Sequence, residues 1–124
     1  MSLLKIVKKG EGKPVTGTTP AAGKTSAKLL IVTKEFSIVM SENEPGTEFP
    51  MHKHGTEHVV IYQLAGKGEQ KLEDGTRLSV GPGDIWHELP GLVHRFKNVG
   101  TEKAVQLHFF VPPRKSHLEL AGLA

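Results

Sequence analysis

The chain contains no cysteine, which excludes both a disulfide framework and a thiolate metal site. Aromatic residues are scarce, at 6%, with one tryptophan and one tyrosine among 124 residues. A single-stranded nucleic-acid binder needs rings on which bases stack, and a duplex reader needs a basic helix; neither pattern is present. The net charge of +3 comes partly from Lys5, Lys8, Lys9, Lys13, Lys24 and Lys28, which read as a solvated face. No apolar run approaches the ~20 residues that span a bilayer. The opening MSLLKIVKKGEGK puts its apolar residues before its lysines, the reverse of a secretory signal. A cytoplasmic protein with neither nucleic acid nor membrane as partner is expected.

A content of 37% hydrophobic and 23% charged residues suits one globular domain rather than a disordered chain. Three parts are predicted: an N-terminal strand and loop arm (1–26), a β-barrel (27–113) and a C-terminal tail (114–124), with a helical turn within 117–124. The arm contains GTTPAAGKT, which invites a phosphate-loop reading. The required spacing is G-x-x-x-x-G-K-[ST], and counting back from Gly23 reaches Thr18 rather than glycine. No strand feeds the segment and no helix pattern follows it, so that reading fails.

From residue 27 onward the signals are for strands. LLIVT (29–33) and FSIVM (36–40) are β-branched or aromatic runs, and 42–46 reads as a turn. Further strands are predicted at 58–64, 69–72, 76–80, 84–88, 92–97 and 104–111, separated by Gly- and Pro-rich breaks. Pro112-Pro113 stops the last one. Many short strands with no helix between them predict an all-β protein, an antiparallel barrel or sandwich closed so that few edges remain.

The histidines carry the chemistry. His52 and His54 are one residue apart, so in a strand both rings project to the same face, where two imidazoles can share an ion at ~2.0–2.1 Å per bond. His58 lies four residues past His54, ~13 Å along a straight strand, so a bend at Gly55-Thr56 is needed to bring it back. His94 starts a strand after Pro90-Gly91 and shares a face with Phe96. His87 and His117 read as surface residues. In AVQLHFFV, Val105, Leu107, Phe109 and Val111 form the apolar face, which turns His108 outward.

The segment Gly46-x5-His52-x-His54-x3-His58 resembles the first cupin motif, G-x5-H-x-H-x3/4-E-x6-G. Gly83-x5-Leu89-x-Gly91-x2-His94-x3-Asn98 is similar to the second, G-x5-P-x-G-x2-H-x3-N. The resemblance implies a cupin double-stranded β-helix, a jelly-roll barrel, with a metal inside its mouth held by His52, His54, His58 and His94. It departs from the pattern in three places. His58 stands where the family has glutamate. Seven residues rather than six separate His58 from Gly66, so counting from Gly66 puts Val59 in the ligand place; a bulge in 58–64 would reconcile the two, and Glu57 is the fallback ligand. Leu89 replaces the second-motif proline, with Pro90 beside it.

Neutral imidazoles suit Fe, Mn, Ni, Cu or Zn as the divalent ion. Two functional classes follow. One is a metal-dependent enzyme on a small, anionic metabolite, an oxygenase (dioxygenase-like) or a lyase or isomerase working through an enolate. The other is a barrel that only binds or senses a small molecule or metal. Tyr62, Phe96 and Phe109 are candidate pocket residues, and Tyr62 and Glu57 the candidate catalytic groups. The resemblance, with apolar surface near 29–40, also predicts a homodimer.

Overall fold

The computed structural model describes residues 3–15 and 21–124. Part of the predicted arm, including residues 17–20 of the rejected phosphate-loop segment, lies outside the described residues. Among the described residues ten strands and one helix follow in order: β1 (Lys13–Pro14), β2 (Thr25–Val32), β3 (Ser37–Asn43), β4 (His52–Lys53), β5 (His58–Ala65), β6 (Gly68–Leu72), β7 (Arg77–Val80), β8 (Ile85–Glu88), β9 (Val93–Asn98), β10 (Ala104–Val111) and α1 (Lys115–Leu120). They form two antiparallel sheets, ordered β1-β2-β3-β10-β5-β8 and β4-β9-β6-β7. The all-β expectation holds, and the cavity lies between the sheets. Among the described residues no helix is long and apolar enough to cross a membrane.

The β3 strand runs to Asn43, past the start of the predicted turn. Asn43 is held there because its side-chain oxygen accepts from Thr25 Oγ1 at 2.6 Å and its backbone pairs with Ala104. Buried Asn98 closes the same end. Its Nδ2 donates to the carbonyls of Asn43 and Glu102, both at 2.9 Å, and its Oδ1 accepts from the Gly100 N–H. The asparagine at the end of the second motif is thus a staple between strands.

One apolar cluster, Leu29, Val39, Val59, Ile61 and Phe110, lies on the inner face of the six-stranded sheet. Each fully buried side chain of this kind stabilises the fold by ~1.5–3 kcal/mol. In the second sheet the Phe96 ring packs directly on Gly68, where an added Cβ would collide with it. That close approach requires glycine.

Strand parity corrects part of the sequence reading. On β10 the inner residues are Ala104, Gln106, His108 and Phe110, while Val105, Leu107 and Phe109 face outward. His108 therefore points inward, where its Nε2 meets Ser41 Oγ at 2.9 Å, and Phe109 lies outside the cavity. The interior is partly polar, so the richer apolar face of this strand is the outer one.

His117 is buried rather than at the surface, with 3% exposure, and its Nδ1 lies 2.7 Å from Ser37 Oγ, pinning α1 to β3. Burial lowers its pKa to about 4, with the Arg114 charge adding to the effect, so the folded ring stays neutral where an unfolded one, at 6.5, takes up a proton. Stability is then fully present above pH ~6.5 and lost as pH falls toward 4. At ~1.4 kcal/mol per pKa unit, His117→Gln should remove on the order of 2 kcal/mol of the stability lost between pH 7 and pH 5. Other groups titrate in both proteins, Glu88 in the opposite sense, so the comparison is between the two slopes. Urea unfolding at both pH values checks it, and equal pH dependence in the two proteins would refute it.

Candidate metal centre

Two short stretches bring the imidazoles together. His54 N–H donates to the Leu92 carbonyl at 2.8 Å and Gly91 N–H to the Gly55 carbonyl at 3.1 Å, which ties the turn after His54 to the turn before His94. Gly91 takes φ of +82° there, a left-handed conformation that glycine adopts without strain. In the β4–β9 ladder His52 is the direct partner of His94. The ring centroids lie 4.7 Å apart for His52–His94 and for His54–His94, and 5.3 Å for His52–His54.

The tautomers are set from behind. His52 Nδ1–H donates to the Pro50 carbonyl at 2.9 Å and His94 Nδ1–H to Gln70 Oε1 at 2.7 Å. With those protons fixed, the neutral rings turn their Nε2 lone pairs inward. One ligand nitrogen from each of His52, His54 and His94 lies within 4.8 Å of the others. His54 Nε2 and His94 Nε2 are 2.8 Å apart. Two bonds of ~2.0–2.1 Å meeting at a right angle put their nitrogens ~2.9 Å apart, so this pair suits adjacent positions on one ion. Burial, reinforced by neighbouring charge, lowers His54 to about 4 and His94 to about 3, which keeps both rings in the ligating form. The three residues fit a divalent ion.

His58 is not brought to this cluster. On β5 the residues Val59, Ile61 and Gln63 are buried while His58 and Tyr62 are exposed, and the register irregularity falls at Leu64, past the stretch where it would turn His58 inward. His58 instead lies on the outer face beside His87. Tyr62 faces outward too, at 37% exposure, and does not line the cavity that holds the imidazoles. Glu57, the fallback ligand, is engaged elsewhere: its Oε1 accepts from Arg114 Nε at 3.0 Å. Phe96 does line the cavity.

The carboxylate at the site comes from a residue the sequence reading passed over. Glu88 is 3% exposed, and its Oε1 lies 3.2 Å from His54 Nε2 and 3.7 Å from His94 Nε2. Trp86 Nε1–H donates to its other oxygen at 2.9 Å. Burial raises Glu88 to about 7, against the opposing pulls of Trp86 and Arg114. The β5–β8 ladder pairs Glu88 with Val59. Val59 is the residue that counting back from Gly66 puts in the ligand place, so the neighbouring strand supplies the acid its own strand lacks.

The three imidazoles and Glu88 line a cavity of about 370 Å³ together with Phe49, Phe96, Ile61, Gln106, His108 and Arg114 among others. The Arg114 guanidinium stacks over Phe110 at 4.5 Å. The cavity walls are mostly apolar, with a few polar groups among them.

The fold recurs in known structures. A predicted oxalate decarboxylase from Thermotoga maritima aligns with a TM-score of 0.76 at 21% identity, covering 87% of this chain and 99% of that one. The polyketide cyclase RemF from Streptomyces resistomycificus gives 0.79 at 24% identity, covering 91% and 82%. Ectoine synthase from P. lautus gives 0.73 at 17% identity, covering 98% and 86%. At these identities the likeness concerns the fold. No curated protein sequence matches the chain. The cupin domain profile matches residues 39–112, more than half of the chain and the stretch that holds all three clustered imidazoles and Glu88, and the protein belongs to the cupin family.

Proposed function

We propose that the protein is a metal-dependent enzyme that moves a proton on a small, anionic, metal-chelating metabolite, as a lyase, isomerase or cyclising enzyme does. The observation that carries this reading is the position of Glu88, a buried carboxylate facing the cavity and touching two of the three clustered imidazoles. An ion of Fe, Mn, Ni, Cu or Zn, when bound, supplies Lewis acidity and a charge that the neutral imidazoles leave uncompensated, which favours an anionic ligand. His52, His54 and His94 hold it, and Gln70 and the Pro50 carbonyl fix two of those rings. Glu88 Oε1 takes a proton from the bound metabolite and returns it at another atom, while Trp86 holds Oε2 and so fixes the direction of transfer. A buried acid near neutrality suits both directions. The structural relatives include a polyketide cyclase and an ectoine synthase by name, which is compatible with chemistry of this class.

The test is proton exchange in D₂O, followed by NMR, on a panel of β-keto and α-hydroxy acids with the zinc-, manganese- or iron-loaded protein. Exchange at the carbon beside the carbonyl supports the reading. Binding with no exchange across the panel would leave a sensing or binding cupin in its place, and uptake of dioxygen an oxygenase.

We also propose a homodimer. The outer face of the six-stranded sheet carries two apolar rows across the ladder, Ile38–Phe109–Val60 and Met40–Leu107–Tyr62–Ile85. A second copy related by a two-fold axis would bury the same rows from its own sheet. A mass of one 13.5 kDa chain by light scattering would refute the dimer.

A further inference from the structure

A second charged group lines the cavity and takes no part in holding an ion. Among the described residues on its walls, Glu88 is the one acid and Arg114 the one permanent cation. Arg114 and Glu88 form no ion pair, so the guanidinium stands apart from the acid beside the imidazoles.

Arg114 precedes α1, and two contacts hold its guanidinium in place. Its Nε donates to Glu57 Oε1 at 3.0 Å, and its central carbon lies 4.5 Å from the centre of the Phe110 ring. That ring is buried and also lines the cavity. Glu57 engages the side of the guanidinium only. The N–H groups of Nη1 and Nη2, at its end, make no hydrogen bond or ion pair with any described residue. They lie in one plane, at a spacing that matches the two oxygens of a carboxylate. The charge also reaches inward. Burial lowers the pKa of His108 and of His117, and the Arg114 charge is the next cause at each. A guanidinium stacked and tethered in this way loses little freedom when an anion docks on it.

We propose that Arg114 is the specificity-determining residue of the cavity and binds a second carboxylate of the metabolite. The ligand is then a small dicarboxylate, chelating the ion at one end and paired with the end of the guanidinium at the other. This rests on the reading of the imidazole cluster as the seat of an ion that chelates an anionic metabolite, and it adds the far end of that molecule. Glu57 and Phe110 set the plane of the guanidinium, which a flexible ammonium could not reproduce.

The test is calorimetric titration of the zinc-loaded full chain with two pairs of acids matched in length. One pair is 2-oxoglutarate and 2-oxopentanoate, the other 2-oxoadipate and 2-oxohexanoate. Each pair shares a chelating head and differs in the distal carboxylate. In at least one pair the dicarboxylate should bind about 10- to 100-fold more tightly, the usual worth of a charged hydrogen-bonded contact. Arg114→Gln should bring that ratio close to one and leave the affinity for the monocarboxylate unchanged. Glutamine Nε2 falls where arginine Nε lies along the side chain, so the bond to Glu57 is kept while the charge is lost. Arg114→Lys, a second variant that keeps the charge without the planar end, should lose most of the preference. Equal binding within both pairs by the parent would overturn the proposal, and so would a preference that survives in Arg114→Gln or is undiminished in Arg114→Lys. Equal weakening of both acids of a pair in Arg114→Gln would make the residue a structural support and overturn it as well. Binding needs no turnover. Absence of proton exchange with all of these acids would count against the proposed reaction and leave the preference standing.

Discussion

Replacing His94 by alanine is expected to lower zinc affinity about a hundredfold or more while leaving a folded barrel. His94 is the centre of the cluster: its ring is 4.7 Å from each of the other two, and it is the one joined both to its ladder partner His52 and to His54 through Nε2. Where a four-ligand zinc site is worth ~10–16 kcal/mol, each ligand carries ~2.5–4 kcal/mol, and ~1.4 kcal/mol is tenfold in affinity. The structural cost is smaller. The Gln70 side chain loses its buried partner, at ~1–3 kcal/mol, within a total stability of ~5–15 kcal/mol for a domain of this size. Equilibrium dialysis against zinc, with circular dichroism on the same sample, measures both effects. A folded His94→Ala protein that holds zinc as tightly as the parent would remove His94 from the site. His94→Asn, which fills more of the vacated space, guards against the case in which the alanine variant fails to fold.

The three clustered imidazoles were legible because their spacing and the alternation of a strand say the same thing. His52 and His54 share a face by period, and the turn residues around Gly55 and Gly91 supply the crossing that joins them to His94. Parity elsewhere was not legible, for a physical reason. Sequence reading sends the more apolar face of a strand inward, but this barrel encloses a partly polar cavity and leaves an apolar sheet face outside. On β10 that reverses the assignment, so His108 lines the cavity and Phe109 does not. On β5 the outward row is His58, Val60 and Tyr62, and the inward row Val59, Ile61 and Gln63, two rows of comparable hydropathy that composition cannot rank. The one-residue mismatch between His58 and Gly66 held the signal that decides it. Taken at face value it puts Val59 inside with no donor atom, which leaves the acid to one of the two strands that pair with β5. β10 carries no acidic residue, and DIWHE, which holds β8, carries Glu88. His117 had no such signal. Its burial depends on α1 folding back over the sheet to reach Ser37, a long-range contact that local sequence does not encode.

Glu88→Gln is expected to reduce proton exchange on a responsive metabolite by ~10²–10⁴-fold, the usual worth of a general acid–base group, with zinc binding changed far less than in His94→Ala. The amide is nearly the same size, so its oxygen can still accept from Trp86 Nε1 and the packing of β8 against β5 is kept. What it loses is the capacity to take a proton and give it back. The position of Glu88 beside two of the imidazoles allows two roles, and this variant separates them. A carboxylate that binds the ion as a fourth ligand would take a large part of the affinity with it when replaced, and zinc content and exchange would fall together. A carboxylate that works on the metabolite would leave zinc in place and lose exchange alone. The second outcome is the expected one, because the ligand atoms of the three histidines form a set that could hold an ion without Glu88, while Trp86 holds its other oxygen. Undiminished exchange in a zinc-loaded Glu88→Gln protein would end the proton-transfer role of this residue, and with it the reason for preferring that chemistry over a binding barrel.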